Sequence, residues 1–148
     1  MTRGQVWLVH ASNLLVGGTG VVYAWMRYLA EPVDEFALVN HPWQPEVQAL
    51  HVVTAPLLVF AAGWIWSAHV LRHWRLGTRR GRRTGLLLAL LLAPMVASGY
   101  LLQTAQEELW REVWIWVHVA TSALWVVAGA VHPFLPAPRR ARAETAAP

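Results

Sequence analysis

Four apolar segments alternate with polar connections along the chain, at residues 6–29, 47–71, 85–102 and 113–134. Each segment is close to the ~20 residues that an α-helix needs to cross the hydrocarbon core of a bilayer. The first segment is longer than the apolar part of a secretory signal peptide and precedes no small-residue cleavage site, so we interpret it as a helix of the mature protein. The pattern predicts an all-α fold, an integral membrane four-helix up-down bundle.

The predicted bundle forms a single domain over residues 1–136, because the sequence has no internal repeat and too few residues for a second domain. Residues 137–148 form a short tail rich in Arg and Ala. Its composition is typical of a segment without fixed structure, and we expect it on the cytoplasmic side of the membrane.

The composition favours lipid as the surrounding solvent. Of the 148 residues, 56% are hydrophobic and only 14% are charged, whereas about a quarter of the residues in a soluble domain are charged. The chain has no Cys, which excludes disulfides, iron–sulfur clusters and covalent attachment of c-type haem. A pI of about 10.7 raises the question of nucleic-acid binding, but the sequence resembles no nucleic-acid-binding module, and we predict no such partner.

Positive and negative charges fall on alternate connections between the apolar segments. By the positive-inside rule, the connections that carry Arg face the cytoplasm, so both termini are predicted to be cytoplasmic. The other two connections are acidic, with Glu31, Asp34, Glu35 and Glu46 in the first and Glu107, Glu108 and Glu112 in the second. The basic residues of the cytoplasmic connections are Arg3, Arg72, Arg75, Arg79, Arg80, Arg82, Arg83, Arg139, Arg140 and Arg142.

Five of the seven His residues lie inside predicted spans: His10, His51, His69, His118 and His132. An ionisable side chain within a membrane span is energetically costly and usually marks a functional site. His118 and His132 are 14 residues apart, which is nearly four helical turns and about 21 Å of depth. They therefore occupy one face of the fourth helix at two levels.

The helix directions give each level a partner. His51 begins the second helix on the outer side, at the level of His118, and His10 lies near the inner end of the first helix, at the level of His132. Two His pairs of this kind fit the axial ligands of two b-type haems held between helices. His69 also lies on the inner side, so it is an alternative to His10 as the inner ligand.

The fourth segment, from His118 to His132, resembles the corresponding helix of the bacterial di-haem cytochrome b group. That group includes cytochrome b-561 and the membrane subunits of formate dehydrogenase and nickel–iron hydrogenase. Further similarities are Thr19-Gly20 in the first helix and the stretch from Pro94 to Gly99 in the third. The resemblance covers about residues 5–135, although this chain is shorter than typical relatives and has His69 as an additional imidazole.

The resemblance implies a multi-pass protein of the bacterial inner membrane that binds two haems b. The outer haem iron would be bound by His51 and His118, and the inner one by His10 and His132. Electrons would pass between a partner redox protein or catalytic subunit and the quinone pool, with the chain as an electron-transfer subunit rather than a complete enzyme. The oligomeric state is left open.

Other roles are assigned less specifically. His69 lies close enough to the inner level to serve a quinone site instead of a haem. Arg72 and Arg75 follow the second helix on the inner side, where they would contact haem propionates through charge-assisted hydrogen bonds or act only as topology signals. Three rival functions are a His-lined transporter of protons or metal ions, a structural haem-binding assembly subunit, and an oxidase of small reductants or superoxide. The absence of acidic residues from the four spans disfavours the transporter.

Overall fold

The structure is a computed structural model that describes residues 1–77 and 81–135. The predicted tail, residues 137–148, lies outside the described residues, and so do Arg79 and Arg80 of the basic connection between the second and third apolar segments.

The four predicted helices are confirmed, and the described residues form no β-strand. The second helix continues beyond its α-helical part through a π-helical segment and a short further helix, and the fourth ends in a 3₁₀ turn. The elements are α1 (Arg3–Tyr28), α2 (Gln44–Ile65), the π-helical segment (Trp66–Leu71), α3 (Arg72–Arg75), α4 (Arg82–Thr104), α5 (Glu108–Val131) and the 3₁₀ turn (His132–Phe134).

Each helix begins three to five residues before the apolar segment predicted for it. Hydropathy marks only the apolar part of a helix, whereas the first turn is polar and is stabilised by its own capping interactions. Thr2 and Gln5 form a capping box at the start of α1, and Pro45 occupies the first turn of α2. Gly81 precedes α4 in the left-handed conformation, with φ at 62°, which glycine adopts without steric cost.

The helices form two compact units. In the first unit α1 packs along α2, and in the second α4 packs along α5. Small side chains lie at these interfaces, since Ala61 of α2 and Ser98 of α4 are both 0% exposed. Such residues allow membrane helices to approach closely. The packing of both helix pairs into one bundle stays a prediction from the sequence.

Large apolar side chains point outward along the helices. Leu14, Phe60, Trp116 and Val127 are each more than 60% exposed, which in water would leave an extensive apolar surface. All four long helices have the length and composition to cross a membrane, namely Arg3–Tyr28, Gln44–Arg75, Arg82–Thr104 and Glu108–Phe134. The outward-facing apolar side chains are therefore those expected of helices in contact with lipid.

The connection between α1 and α2 is held against the end of α1. The Asn40 side chain donates a hydrogen bond of 2.9 Å to the carbonyl of Arg27, and the His41 ring lies 5.9 Å from the Trp25 ring. Within the connection, the His41 Nδ1 accepts a hydrogen bond from the Trp43 backbone N–H. These contacts fix where α2 begins relative to α1, and thereby which residues of the two helices lie at the same level.

Candidate functional site

His51 of α2 rests against α1 at a site built from a carbonyl, a hydroxyl and a glycine. Its Nδ1 lies 3.0 Å from the carbonyl oxygen of Val16 and 3.2 Å from the hydroxyl of Thr19. A Cβ on Gly20 would lie 3.0 Å from the His51 Cε1. The ring therefore occupies the space that a side chain at position 20 would fill.

His118 of α5 meets α4 in the same way. Its Nδ1 lies 3.0 Å from the carbonyl oxygen of Met95 and 3.3 Å from the hydroxyl of Ser98. A Cβ on Gly99 would lie 3.1 Å from the His118 Cε1. The carbonyl, hydroxyl and glycine thus have the same sequence spacing as in α1.

His132, at the other end of the same helix pair, uses a third site of this kind. Its Nδ1 lies 2.8 Å from the hydroxyl of Thr84. A Cβ would lie 3.0 Å from the His132 Cε1 at Gly81 and 3.4 Å from it at Gly85. The ring therefore sits over the first turn of α4, against backbone that carries no side chain.

We call each of these three arrangements an imidazole cradle. Each cradle contains three residues of one helix, its N-cap included. The second residue has a hydroxyl side chain and lies three positions after the first, and the third is a glycine four positions after the first. The hydroxyl itself donates to a carbonyl of its own helix. The three cradles are Val16, Thr19 and Gly20; Met95, Ser98 and Gly99; and Gly81, Thr84 and Gly85.

The cradles decide which ring nitrogen carries the proton. A backbone carbonyl only accepts hydrogen bonds, and each hydroxyl has its single hydrogen directed to a helix carbonyl. For example, Thr19 donates to the Leu15 carbonyl at 2.8 Å, and Ser98 donates to the Pro94 carbonyl at 2.6 Å. We therefore expect Nδ1 to be the donor, which would leave the neutral ring with an unprotonated Nε2. This is the tautomer in which a histidine binds a metal through Nε2 while its other nitrogen is held by the protein.

His10 and His69 are placed differently. His10 of α1 is exposed, and its ring makes no hydrogen bond within the described residues. His69 is partly buried and belongs to the π-helical segment. A separation of 18 residues would put His51 and His69 on one face of a regular α-helix, but a π-helix has wider turns, which rotate His69 away from that position.

The remaining predicted site residues lie at the carboxyl end of the second long helix. Arg72 and Arg75 belong to α3, and both are exposed. Among residues 1–77 and 81–135, no group of three or more His, Asp or Glu side chains lies close enough together to hold a metal ion.

The groups that contact the three histidine rings are only partly predictable from the sequence. Thr19, Gly20, Ser98 and Gly99 were singled out as motif residues, without a contact to any particular ring. Thr84 was missed, because the apolar segment predicted for the third helix begins at residue 85 and excludes it. A serine or threonine followed by glycine is common in membrane helices, so the motif alone does not identify a histidine support.

Comparison of the chain with protein-family models, curated proteins and solved structures finds no match. The site must therefore be interpreted from its own geometry.

The cradles predict the tautomers of three histidines. In protein selectively labelled with ¹⁵N-histidine, prepared without bound metal and at a pH where the rings are neutral, we expect His51, His118 and His132 to carry the proton on Nδ1. The ¹⁵N chemical shifts distinguish a protonated from an unprotonated ring nitrogen. His41, whose Nδ1 accepts a hydrogen bond from Trp43, is the internal control and should carry its proton on Nε2. An Nε2 proton on the three cradled rings would contradict the argument.

Proposed function

We propose that the protein is a membrane cytochrome that binds two haems b through histidine pairs and transfers electrons through the bilayer. The observation that carries the proposal is that His51, His118 and His132 each have an Nδ1 within hydrogen-bond distance of an oxygen of the neighbouring helix. This support is typical of histidines that ligate metals. Three such rings in apolar helices are difficult to explain by packing alone, because an ionisable side chain in a span carries an energetic cost.

Imidazole side chains are ligands that suit haem iron. Imidazole is a common axial ligand of haem iron, and two imidazoles complete the coordination of a porphyrin-bound iron. Each haem would need only two protein ligands, so the sequence-derived pairs, His51 with His118 and His10 with His132, form part of the proposal. When bound, haem supplies a one-electron couple, while the protein fixes the axial ligands, their hydrogen bonds and the surrounding apolar environment.

The histidines proposed for the two haems differ in the hydrogen bonds that hold their rings. Both ligands of the proposed outer haem, His51 and His118, rest in cradles. At the inner haem His132 does so too, whereas His10 is exposed and its ring has no hydrogen bond within the described residues. His69 is therefore retained as the alternative inner ligand, or as part of a quinone site on that side.

The cellular role extends this proposal by way of the resemblance to bacterial di-haem cytochromes b. The chain would lie in the bacterial inner membrane with both termini in the cytoplasm, in accordance with its Arg-rich connections. It would transfer electrons between a partner redox protein, or a catalytic subunit, and the quinone pool. Arg72 and Arg75, exposed after the second span, are the side chains proposed to reach haem propionates on the inner side.

Haem content tests the proposal directly. We expect protein purified in detergent to contain about two haems per chain by the pyridine haemochrome assay, and to give a b-type reduced-minus-oxidised spectrum. His51→Ala should lower the content to about one haem, because it removes a ligand of the outer iron. His73→Ala, which changes an exposed histidine that is not a proposed ligand, should leave both haems bound. Colourless wild-type protein would contradict the proposal.

A second pair of variants identifies the inner ligand. We expect His10→Ala to remove the inner haem and His69→Ala to leave both haems bound, with haem content and the absorption spectrum as the measurements. The exposed His73 provides a control as His73→Ala, which should also retain both haems. Loss of one haem in His69→Ala, together with full content in His10→Ala, would show that His69 is the ligand.

A further inference from the structure

The three cradle hydroxyls provide a means of adjusting the proposed haems individually. We infer that Thr19, Ser98 and Thr84 are positioning residues that lower the reduction potentials of the haems by holding the Nδ1–H of each ligand, and that Thr84 has the largest effect. This inference rests on the proposed function and extends it to residues that do not touch the iron.

The cradle hydroxyls make a second contact in addition to the hydrogen bond to their own helix. Other threonines of this chain make the same bond to their own helix, as Thr104 does to the Leu101 carbonyl at 3.2 Å. The cradle hydroxyls make this bond and also lie within 3.3 Å of an imidazole nitrogen on another helix. The bond to the helix turns the hydroxyl lone pairs toward the ring. It therefore orients each hydroxyl as an acceptor for Nδ1–H.

The hydroxyls would act on the haem through the electron density of the imidazole ring. When Nδ1–H donates to an acceptor, electron density on the ring rises and Nε2 becomes a more basic ligand. A more basic ligand stabilises ferric iron more than ferrous iron, because the ferric ion carries the greater positive charge. Hydrogen bonds to the axial ligands are accordingly among the means by which a protein sets the potential of a haem. Removal of an acceptor should raise that potential.

The three hydroxyls differ in their distance from the imidazole nitrogen. Thr84 lies 2.8 Å from its imidazole nitrogen, whereas Thr19 and Ser98 lie at 3.2 and 3.3 Å. Hydrogen bonds weaken as they lengthen beyond about 3.0 Å. The effect should therefore be greatest at Thr84.

Redox titration of the purified protein, followed by visible absorption, tests the ranking. We expect Thr84→Val to raise the potential of one haem by about the equivalent of a tenfold shift toward the ferrous form, ~59 mV for a one-electron couple. Thr84→Ser should restore the original value, because it returns the hydroxyl. Thr19→Val and Ser98→Val should give smaller shifts. Thr104→Val in the same helix, where the hydroxyl bonds to the Leu101 carbonyl, is the matched control and should give none.

The outcomes separate the inference from the proposed function. Two bound haems with unchanged potentials in Thr84→Val would overturn the inference and leave the proposed function standing. Loss of one haem in Thr84→Val, reversed in Thr84→Ser, would support a positioning role. Wild-type protein without haem would instead overturn the proposed function, and the inference with it.

Substitution of the cradle glycines tests how closely the rings approach the neighbouring helix, independently of the hydroxyls. A Cβ at Gly20 would lie 3.0 Å from the His51 ring, whereas a Cβ at Gly18 of the same helix would meet nothing within 4 Å. We expect Gly20→Ala to displace His51 and to lower the haem content or shift one potential, and Gly18→Ala to behave as wild type. Equal behaviour of the two variants would contradict close seating of the ring.

Discussion

The candidate site depends on one interaction, the hydrogen bond from a histidine Nδ1 to the backbone or hydroxyl of the neighbouring helix. In the first unit it joins α2 to α1, and in the second it joins α5 to α4 at two levels. Within a membrane span such a bond satisfies a polar group that lipid cannot solvate. Because it uses Nδ1, the same bond is of the kind that holds a histidine whose Nε2 ligates a metal. The same contact therefore packs two helices together and holds a histidine ring in a fixed orientation.

Glycine makes this contact sterically possible. An imidazole can approach the backbone of a second helix only where no side chain intervenes, and Gly20, Gly99 and Gly81 provide that space within about 3 Å of a ring carbon. Gly81 has a second function, since its left-handed conformation begins α4. Substitution there would disturb both the start of the helix and the seat of His132. The small residues that membrane helices commonly use for close packing thus determine where the histidines lie.

Much of the fold could be predicted from the sequence, because a membrane span has an unambiguous length and composition. The four helices and the presence of His51, His118 and His132 within or at the end of them follow from hydropathy alone. The π-helical segment at Trp66–Leu71 could not be predicted, since a change in helical pitch leaves no signature in hydropathy. Thr84 was missed for a related reason: it lies in a polar first turn, where the helix continues beyond the apolar segment. Capping and turn chemistry set the true ends of the helices.

The unequal support of the histidines bears on how electrons would move through the proposed cytochrome. A ligand held at Nδ1 keeps its ring orientation when the charge on the iron changes, so little reorganisation accompanies electron transfer. Both ligands proposed for the outer haem, His51 and His118, are hydrogen-bonded through Nδ1, and of the ligands proposed for the inner haem His132 is. The proposed inner site would therefore have more freedom to adjust its geometry through His10, which is exposed. A rigid outer site and a more adaptable inner one would suit a protein whose inner side exchanges electrons with a mobile carrier such as quinone.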